Sequence, residues 1–543
     1  MRRSKLIIII ALAALTTWSC SRTGSIEGKA IFRYNESAGI ATLDPAYAKD
    51  QALIWACSQL YNGLIALDTN LEIQPCIAKS WTISDDNRIY IFTLRDDVYF
   101  HKNELFANAD STRRVTAQDF VYSFNRILDP EVASPGLWIF SNVEENGFLA
   151  PNDSTLIIRL KNSFPPFLSL LGMPYCSVVP HEVVDYYKAD FRKHPCGTGP
   201  FKFQLWKENV KLVLRKNQDY FESDDNGRRL PYLDAVSVTF IVDKQTVFLE
   251  FVKGNLDFMN SLDASYKDEI LTQTGQLKSK YASKIDMTSI PYLNTEYLGF
   301  NMDAASNSVL KDKRIRQAVN YGFDRRKMMK YMRNNIGIPG CKGFIPCGLP
   351  GHDTASKYGY EYNPELAKKL LEEAGYPNGK GLPTLQLATT ASYLDLCKYL
   401  QQQLGLIGIN IKVEVNPPAA LREQIAQGKS QWFRGSWIAD YPDAENYLSL
   451  FTTSNHSPAG PNYTHFSNQE YDRLYDRSIK EKDAAKRTQI YRMMDSIVMD
   501  EAPVMVLYYD QILHFTHKGK GGISGIRSNA MNALDLRYAV MEQ

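Results

Sequence analysis

One short run of the sequence brings a cation, a large aromatic ring and an anion together: Arg434, Trp437 and Asp440. The Asp440 carboxylate has the charge to receive an ammonium group, and the planar guanidinium of Arg434 can hold a carboxylate through two parallel hydrogen bonds. Trp437 lies between them and is suited to form the wall of a side-chain pocket. The run predicts a site for a zwitterion such as a short peptide. The alternative is an ordinary surface ion pair between Arg434 and Asp440.

The sequence offers little to support catalysis, since it contains no His-Glu-x-x-His, Gly-x-Ser-x-Gly or P-loop motif. The glycines at 197–200 lack the Gly-Lys-Ser/Thr ending of a phosphate loop and are typical of a tight turn. His101 ends a predicted strand with no nucleophile motif nearby. His514 and His517 would point to opposite faces of a strand. We therefore predict that the protein is not an enzyme and has no cofactor and no metal site.

The chain of 543 residues has 62 basic and 60 acidic residues, and this formal charge of +2 provides no basic field for nucleic acid. Its length suffices for two or three packed units. Strand-like and helix-like runs alternate without a fixed repeat, which predicts an α/β or mixed class. Strands are predicted where β-branched and aromatic residues concentrate, over 88–94, 155–160, 210–215, 235–242, 409–415 and 504–509.

Capping residues mark the predicted helices. Thr116 precedes an acidic first turn and an apolar face at helical spacing, and Asn363 followed by Pro364 opens a second helix. Further helices are predicted over 313–332, 444–451 and 469–499, the second of them capped by Asp443.

The N-terminus predicts export. Arg2, Arg3 and Lys5 precede an apolar core of ten residues, Leu6 to Leu15. This core is too short to span a bilayer, which takes about 20 apolar residues, and is typical of a cleavable signal peptide, here residues 1–19.

The residues around Cys20 resemble the processing site of bacterial lipoproteins, although Thr17 and Trp18 differ from the residues usual there. We predict that Cys20 carries a lipid and that residues 20–29 form a tether, which would place the protein at the periplasmic face of a bacterial membrane. The alternative is a soluble secreted form in which Cys20 is incidental.

The other seven cysteines are an odd number, so at least one thiol stays unpaired and a complete disulfide framework is excluded. Cys341 and Cys347 lie in a Gly/Pro-rich loop and are the pair expected to form a disulfide. Their spacing fits no zinc motif.

Two extended, Pro-containing segments are candidates for crossings between domains, because no low-complexity linker is present. They are 289–301 and 502–510, about 200 residues apart. A lobe inserted between two such strands would hinge there.

From about Ile31 to near its C-terminus the chain resembles the extracellular solute-binding proteins of family 5, the oligopeptide- and dipeptide-binding proteins of ABC importers. No single motif is specific, but their order along the chain matches the family. The motifs lie at 43–45, 60–64, 77–81, 90–95 with 98–101, 115–124, 195–201, 314–318, 367–375 and 435–442.

The resemblance implies a two-lobed, periplasmic-binding-protein-like α/β fold with a hinge of two strands and an additional, family-specific subdomain. Lobe I would consist of 30–64, 186–288 and 511–543. The subdomain would be 65–185, and lobe II would be 289–510.

The resemblance also implies which residues meet a ligand. Asp440 occupies the position that holds a peptide's ammonium group, and Arg434 the position that meets the carboxylate of a short peptide. Trp437 would line a side-chain pocket, and Tyr441, which follows Asp440, is also expected to contact the ligand.

The peptide backbone would pair as an added strand with an extended strip at Lys49, Asp50 and Gln51, and with a facing edge at Gly435, Ser436 and Trp437.

By the same resemblance the protein would be a monomeric, lipid-anchored substrate-binding component that closes on short peptides and delivers them to permease subunits and their ATPases. Two alternatives remain open at this point. The same fold can bind another solute, such as a nickel chelate, haem, a sugar or an antibiotic, or can act as a ligand sensor or scavenger.

Overall fold

The structure is a computed structural model that describes residues 29–263, 266–303, 308–356 and 358–542. The predicted signal peptide, Cys20 and all but the last residue of the predicted tether lie outside these residues. Within them, no helix combines the length and the apolar character that crossing a membrane requires.

The strands alternate with helices along the whole described chain. The strands are β1 Ile31–Asn35, β2 Ile65–Leu67, β3 Ile73–Pro75, β4 Ala78–Ile83, β5 Ile89–Leu94, β6 Val143–Asn152, β7 Thr155–Leu160, β8 Phe201–Lys207, β9 Lys211–Lys216, β10 Ala235–Thr239, β11 Phe258–Asn260, β12 Ile285–Phe300, β13 Ile338–Pro339, β14 Leu385–Thr389, β15 Ile411–Val415, β16 Trp432–Ile438, β17 Val504–His517, β18 Ile523–Ser524 and β19 Val540–Met541. All six predicted strands are present, and β17 extends furthest beyond its predicted end.

The α-helices are α1 Gln51–Leu60, α2 Ala117–Leu128, α3 Phe167–Leu170, α4 His181–Tyr187, α5 Lys244–Val252, α6 Lys267–Ile270, α7 Ser279–Ala282, α8 Lys313–Tyr321, α9 Arg325–Met332, α10 Pro364–Glu373, α11 Leu394–Gly405, α12 Pro418–Ala426, α13 Glu445–Leu448, α14 Gln469–Ser478 and α15 Ala484–Glu501. Short 3₁₀ helices cover Pro45–Tyr47, Leu137–Phe140, Pro174–Cys176, Lys188–Lys193, Val309–Lys311, Pro377–Gly379, Ala391–Tyr393, Ser449–Phe451 and Thr453–Asn455.

Two long strands connect the two lobes of the molecule. The main sheet has the order β15-β14-β16-β12-β17-β11-β1-β10-β9-β8, so β12 and β17 pair with each other between the strands of lobe II and those of lobe I. Their antiparallel register is interrupted after Pro291, which has no N–H to donate, and resumes at Thr295. We place the passage between the lobes at this interruption. The predicted two-lobed α/β architecture is confirmed.

Lobe I carries a separate antiparallel sheet of order β4-β5-β7-β6, covered by α2. The apolar face of α2 contributes Phe120 and Phe124 to a core that includes Phe92 of β5 and Ile158 of β7. The predicted start of α2 is confirmed, because Thr116 and Asp119 form a reciprocal capping box.

An ion pair joins this sheet's helix to the body of lobe I. Arg126 on α2 donates from Nη1 and Nη2 to the two carboxylate oxygens of Asp44, at 2.9 and 2.5 Å. The side chains are only 11% and 4% exposed. Asp44 also accepts from the backbone N–H of Ala46, 3.0 Å away, and so starts a 3₁₀ turn. The motif at 43–45, Leu-Asp-Pro, therefore has a structural role.

Two predicted helices are each divided in two, which corrects the sequence prediction. The helix predicted over 313–332 breaks at Gly322, where a Cβ atom would lie 2.4 Å from Ile407, and Asp324 caps the next helix by accepting from Lys327 N at 2.9 Å. The helix predicted over 469–499 breaks before Asp483, which caps α15. In both cases a capping aspartate starts a new helix inside a continuous helical pattern.

The expected disulfide between Cys341 and Cys347 is wrong, because both are free thiols in the structure. The two sulfur atoms face different partners. Cys347 Sγ lies 3.2 Å from Nε2 of His352. Cys341 is buried, and burial raises the pKa of its thiol, with the nearby Glu361 adding to the effect. The loop holds the cysteines in separate environments.

We expect Arg126→Ala to destabilise the protein by about 3 kcal/mol, because it leaves the Asp44 carboxylate buried without its partner. Urea unfolding of the purified protein measures this change. Arg88→Ala is the matched control, since Arg88 and Glu144 form an ion pair in the same subdomain with side chains 42% and 38% exposed. The control should cost less than about 1 kcal/mol. Equal losses in the two variants would contradict a special role for the buried pair.

Candidate functional site

Asp440 lies just past the end of β16, beside the passage between the lobes. The N–H of Ala439 donates to the carbonyl of Leu293 on β12, 2.9 Å away, which fixes the position of the next residue. The Asp440 side chain remains open to solvent. Dehydration by the surrounding protein raises its pKa, and a hydrogen bond from Asn446 acts in the opposite direction. Within the described residues Asp440 forms no ion pair.

Asn446 orients both Asp440 and Trp437. Its Oδ1 accepts from the indole N–H of Trp437 at 2.9 Å and from the backbone N–H of Asp440 at 3.1 Å. Its Nδ2 donates to Oδ2 of Asp440 at 3.2 Å. Because the first two groups only donate and the carboxylate accepts, the orientation of the amide is determined. Sequence reasoning missed Asn446, whose only signal was its place on a short helix after Asp440.

Lobe I faces Asp440 with Tyr175 and Asp50. Burial raises the pKa of Tyr175 to about 12, and the negative charges of Asp440 and Asp50 contribute. One aspartate from each lobe thus acts on the same hydroxyl. Burial also raises the pKa of Glu36, with Asp50 adding to the effect. None of these three carboxylates forms an ion pair in the described part of the chain, so the site favours a cationic group.

The lobes touch beside this site. The ring of Tyr441 from lobe II packs against Trp138 of lobe I, with ring centroids 6.2 Å apart. Tyr441 is buried, and its hydroxyl donates to Glu445, which also accepts from the hydroxyl of Tyr475. The hydroxyl of Tyr441 is therefore used within the protein, and its ring packs in the core beside the site.

Arg434 has a partner within the protein. Its Nη2 forms an ion pair with Glu296 on the adjacent strand β12, and its guanidinium lies 3.5 Å from the centre of the Tyr393 ring. Next to this pair, Arg333 binds Asp510 at 2.6 Å. The charges of these two cations and two anions thus compensate one another. If Arg434 bound a ligand carboxylate, as predicted, Arg434 would have to bind Glu296 and the ligand together. No sequence pattern indicated Glu296, which lies 138 residues away from Arg434.

Strand β16 leaves one edge open. On one side it pairs with β12 over its whole length, and on the other it meets β14 only at Phe433. Among the described residues, no strand pairs with this edge beyond Phe433, and the use of Gly435, Ser436 and Trp437 by a ligand stays a prediction. Gly435 also has a packing role, since a Cβ atom there would lie 2.7 Å from the ring of Tyr297.

The expected extended strip at Lys49, Asp50 and Gln51 is only partly extended, which is a correction. Gln51 is the first residue of α1, and Asp50 caps that helix by accepting from the N–H of Leu53 at 3.2 Å. The side chain of Gln51 donates to the carbonyl of Asn532 at 3.1 Å. Lys49 and Asp50 remain outside the helix and line a cavity of about 1260 Å³.

The other residues considered in the sequence have structural contacts. His101 is buried and donates to the carbonyl of Gly199 at 3.0 Å. The backbone at Gly197 lies close to that of Leu60, because a Cβ atom added to Gly197 would lie 2.1 Å from the Leu60 carbonyl oxygen. Asp443 accepts from the N–H of Glu445 at 2.9 Å, which confirms its capping role.

His514 and His517 contact different groups. His514 donates to the side chain of Asn532 at 3.1 Å, and His517 donates to the carbonyl of Leu256 at 3.2 Å. The two rings do not share a ligand position.

Comparison with known proteins gives one family match, to the bacterial extracellular solute-binding proteins, family 5, over residues 72–459. Among characterised relatives, the glutathione-binding protein GsiB of Escherichia coli O1:K1 / APEC is 25% identical over 493 residues, which cover 89% of this chain and 90% of the relative.

Solved structures share the fold. A periplasmic oligopeptide-binding protein of Borrelia burgdorferi, OppAIV, superposes with a TM-score of 0.72 and 26% identity, over 94% of this chain and 100% of that one. The periplasmic binding protein DppA of Helicobacter pylori, in complex with the peptide STSA, gives 0.74 and 24% identity, over 95% and 98%.

The acid that holds Tyr441 predicts a pH dependence of stability. Burial raises the pKa of Glu445 to about 7 from 4.5, so the native state binds this proton more tightly than the unfolded state. The resulting stabilisation is present below pH 4.5 and is lost as the pH rises through 7. We expect the free energy of unfolding to fall between pH 5 and pH 8, with Glu445 accounting for up to about 3 kcal/mol.

Urea unfolding at pH 5, 6.5 and 8 measures this fall. Glu445→Gln has no proton to lose and should show a smaller decrease, although Asp495, whose pKa burial also raises to about 7, retains part of the slope. Glu372→Gln, at an exposed position, is the control and should behave as the unmodified protein. An unchanged slope in Glu445→Gln would contradict the assignment.

Proposed function

This chain belongs to the bacterial extracellular solute-binding proteins of family 5, and we propose that it captures short peptides between its lobes and delivers them to the permease of an ABC importer. The observation that carries the proposal is the unpaired Asp440 carboxylate beside the open edge of β16. A carboxylate in this position suits an ammonium group, and an open strand edge suits an extended backbone. The relatives named for glutathione and oligopeptides support this class of ligand.

Asp440 is the principal contact in this proposal. A peptide ammonium group would find Asp440 on one side and Asp50 on the other, and closure of the lobes around it would exclude much of the solvent. Loss of one partner of such a desolvated charge pair costs on the order of 2 to 5 kcal/mol. Asn446 holds the carboxylate in place before a ligand arrives. Preorganisation of this kind lowers the entropy lost on binding.

The rest of the peptide would lie along residues 434–438 as an added strand. Main-chain pairing does not depend on side-chain identity, so we infer a broad range of peptides. Trp437 would wall a side-chain pocket, and the ring of Tyr441 would close it. Arg434 would contribute less than Asp440, because Glu296 already compensates its charge.

Closure of the lobes would couple binding to transport. A ligand that contacts both lobes favours the closed arrangement, and the closed shape is what a permease can distinguish from the free protein. We further propose that the protein is exported, carries a lipid at Cys20, acts as a monomer and hands its ligand to permease subunits with their ATPases.

Asp440→Asn should weaken binding of trialanine by at least about 30-fold, since it removes the charge opposite the ammonium group. Isothermal titration calorimetry measures the affinity, and thermal unfolding without peptide verifies the fold. Asp476→Asn is the control, because it makes the same change at an exposed position of lobe II. Unchanged affinity in Asp440→Asn would remove Asp440 from the site.

Capped peptides separate the roles of the two ends. We expect N-acetyl-trialanine to bind at least about 30-fold more weakly than free trialanine, whereas trialanine amide should lose less than about tenfold. The difference follows from the unpaired Asp440 and the compensated Arg434. Stronger dependence on the carboxylate would reverse these roles. If neither free trialanine, longer alanine peptides nor glutathione bound, the peptide assignment would be wrong while the fold assignment stood.

A further inference from the structure

Three potential metal ligands meet at the end of lobe II that is remote from the hinge. They are Asp303, just beyond β12, and His456 and His465 in the loop before α14. One donor atom from each lies within 4.8 Å of the others. No sequence motif indicated this cluster, because Asp303 is more than 150 residues from either histidine.

Hydrogen bonds hold both imidazoles, His456 through one ring nitrogen and His465 through both. His456 donates from Nε2 to the carbonyl of Phe466 at 3.0 Å, which leaves Nδ1 as a free donor of an electron pair. His465 has Nε2 at 2.9 Å from the Ser457 hydroxyl and Nδ1 at 2.9 Å from Oδ2 of Asp303. The two rings are parallel within 6°, with centroids 4.9 Å apart. Hydrogen bonds of this kind orient metal-binding histidines.

We propose that Asp303, His456 and His465 bind a divalent transition-metal ion, with zinc as the best match, and that water completes the coordination. Two imidazoles and one carboxylate are a donor set that zinc favours, whereas calcium and magnesium prefer sites made of oxygen. The donor atoms of these three side chains lie somewhat farther from one another than zinc–ligand bonds of about 2.0 to 2.2 Å require. The Asp303 side chain is 68% exposed and is free to turn inward.

A hydrolytic role for the same atoms is excluded by burial. Ser457, His465 and Asp303 are hydrogen-bonded in the order of a serine-hydrolase triad. Ser457 is only 4% exposed, so its hydroxyl cannot meet a substrate. The hydroxyl instead fixes the orientation of the His465 ring.

The proposed metal site is separate from the peptide site. The carbonyl of Leu293 accepts from the N–H of Ala439, the residue before Asp440. Leu293 lies seven residues before the end of β12, which is about 20 Å along the strand. A metal here would join the end of β12 to the loop at 456–465. We therefore expect zinc to stabilise lobe II without changing peptide affinity, and this site does not depend on the proposed function.

Titration of zinc into tag-free, chelator-treated protein tests the proposal. We expect one saturable equivalent, a higher thermal unfolding temperature with zinc, and a four-coordinate visible spectrum with cobalt. Asp303→Asn, His456→Ala and His465→Ala should each weaken zinc binding by at least about tenfold. Asp303→Asn changes an exposed side chain, so an unaltered unfolding temperature without zinc shows that its loss of binding is not loss of fold.

Two control variants exclude other zinc ligands. His194→Ala removes an exposed histidine elsewhere, and Cys347→Ser removes the thiol beside His352. Both should bind zinc as the unmodified protein does. The proposal is overturned if no saturable binding occurs, or if binding survives in Asp303→Asn and both histidine variants.

Discussion

The antiparallel pairing of β12 with β17 is the constraint on which the rest of this molecule depends. Both strands lie in the main sheet that runs through both lobes, and their pairing continues beyond two register shifts, one between Pro291 and Thr295 and one between Glu296 and Tyr297. Strand β16 is aligned along β12 and carries the segment that ends at Asp440. The positions of Trp437 and Asp440 relative to lobe I are therefore set by backbone hydrogen bonds. Loops only complete the site.

Charged side chains with a partner inside the protein serve the fold, whereas those without one can bind a ligand. The buried or partly buried pairs of Asp44 with Arg126 and of Glu296 with Arg434 satisfy each other. Arg316 forms no ion pair with a described residue but donates to four backbone carbonyls, a satisfied arrangement for a buried cation. Within the described residues, Asp440 and Asp50 have no such compensation, and both are open to solvent. Closure of the lobes would remove water from them, which is costly unless a cation arrives, and this is the physical basis of the proposed ammonium recognition.

Several of the motifs that identify the family have structural roles. Asp44 anchors Arg126 and starts a turn. Gly197 allows its loop to approach the backbone of Leu60. Arg316 ties the start of α8 to the end of α15 through main-chain carbonyls. Shared motifs of this kind report a shared fold, whereas the ligand depends on the few side chains at the lobe interface.

The sequence by itself determined the α/β class, the six strands, the start of α2, the capping role of Asp443 and the segment that holds Asp440, because periodicity and capping are local properties. It also indicated the extended segments at 289–301 and 502–510, which fall on β12 and β17. Only the tertiary structure decided the partners of charged and sulfur-containing side chains. Glu296 forms an ion pair with Arg434, and Asp303 contacts His465. His352 lies beside Cys347, and Asn446 orients Asp440. Two of these four contacts, Glu296 with Arg434 and Asp303 with His465, join residues 138 and 162 positions apart. Sequence spacing carries no information about distances that strand register and lobe packing impose.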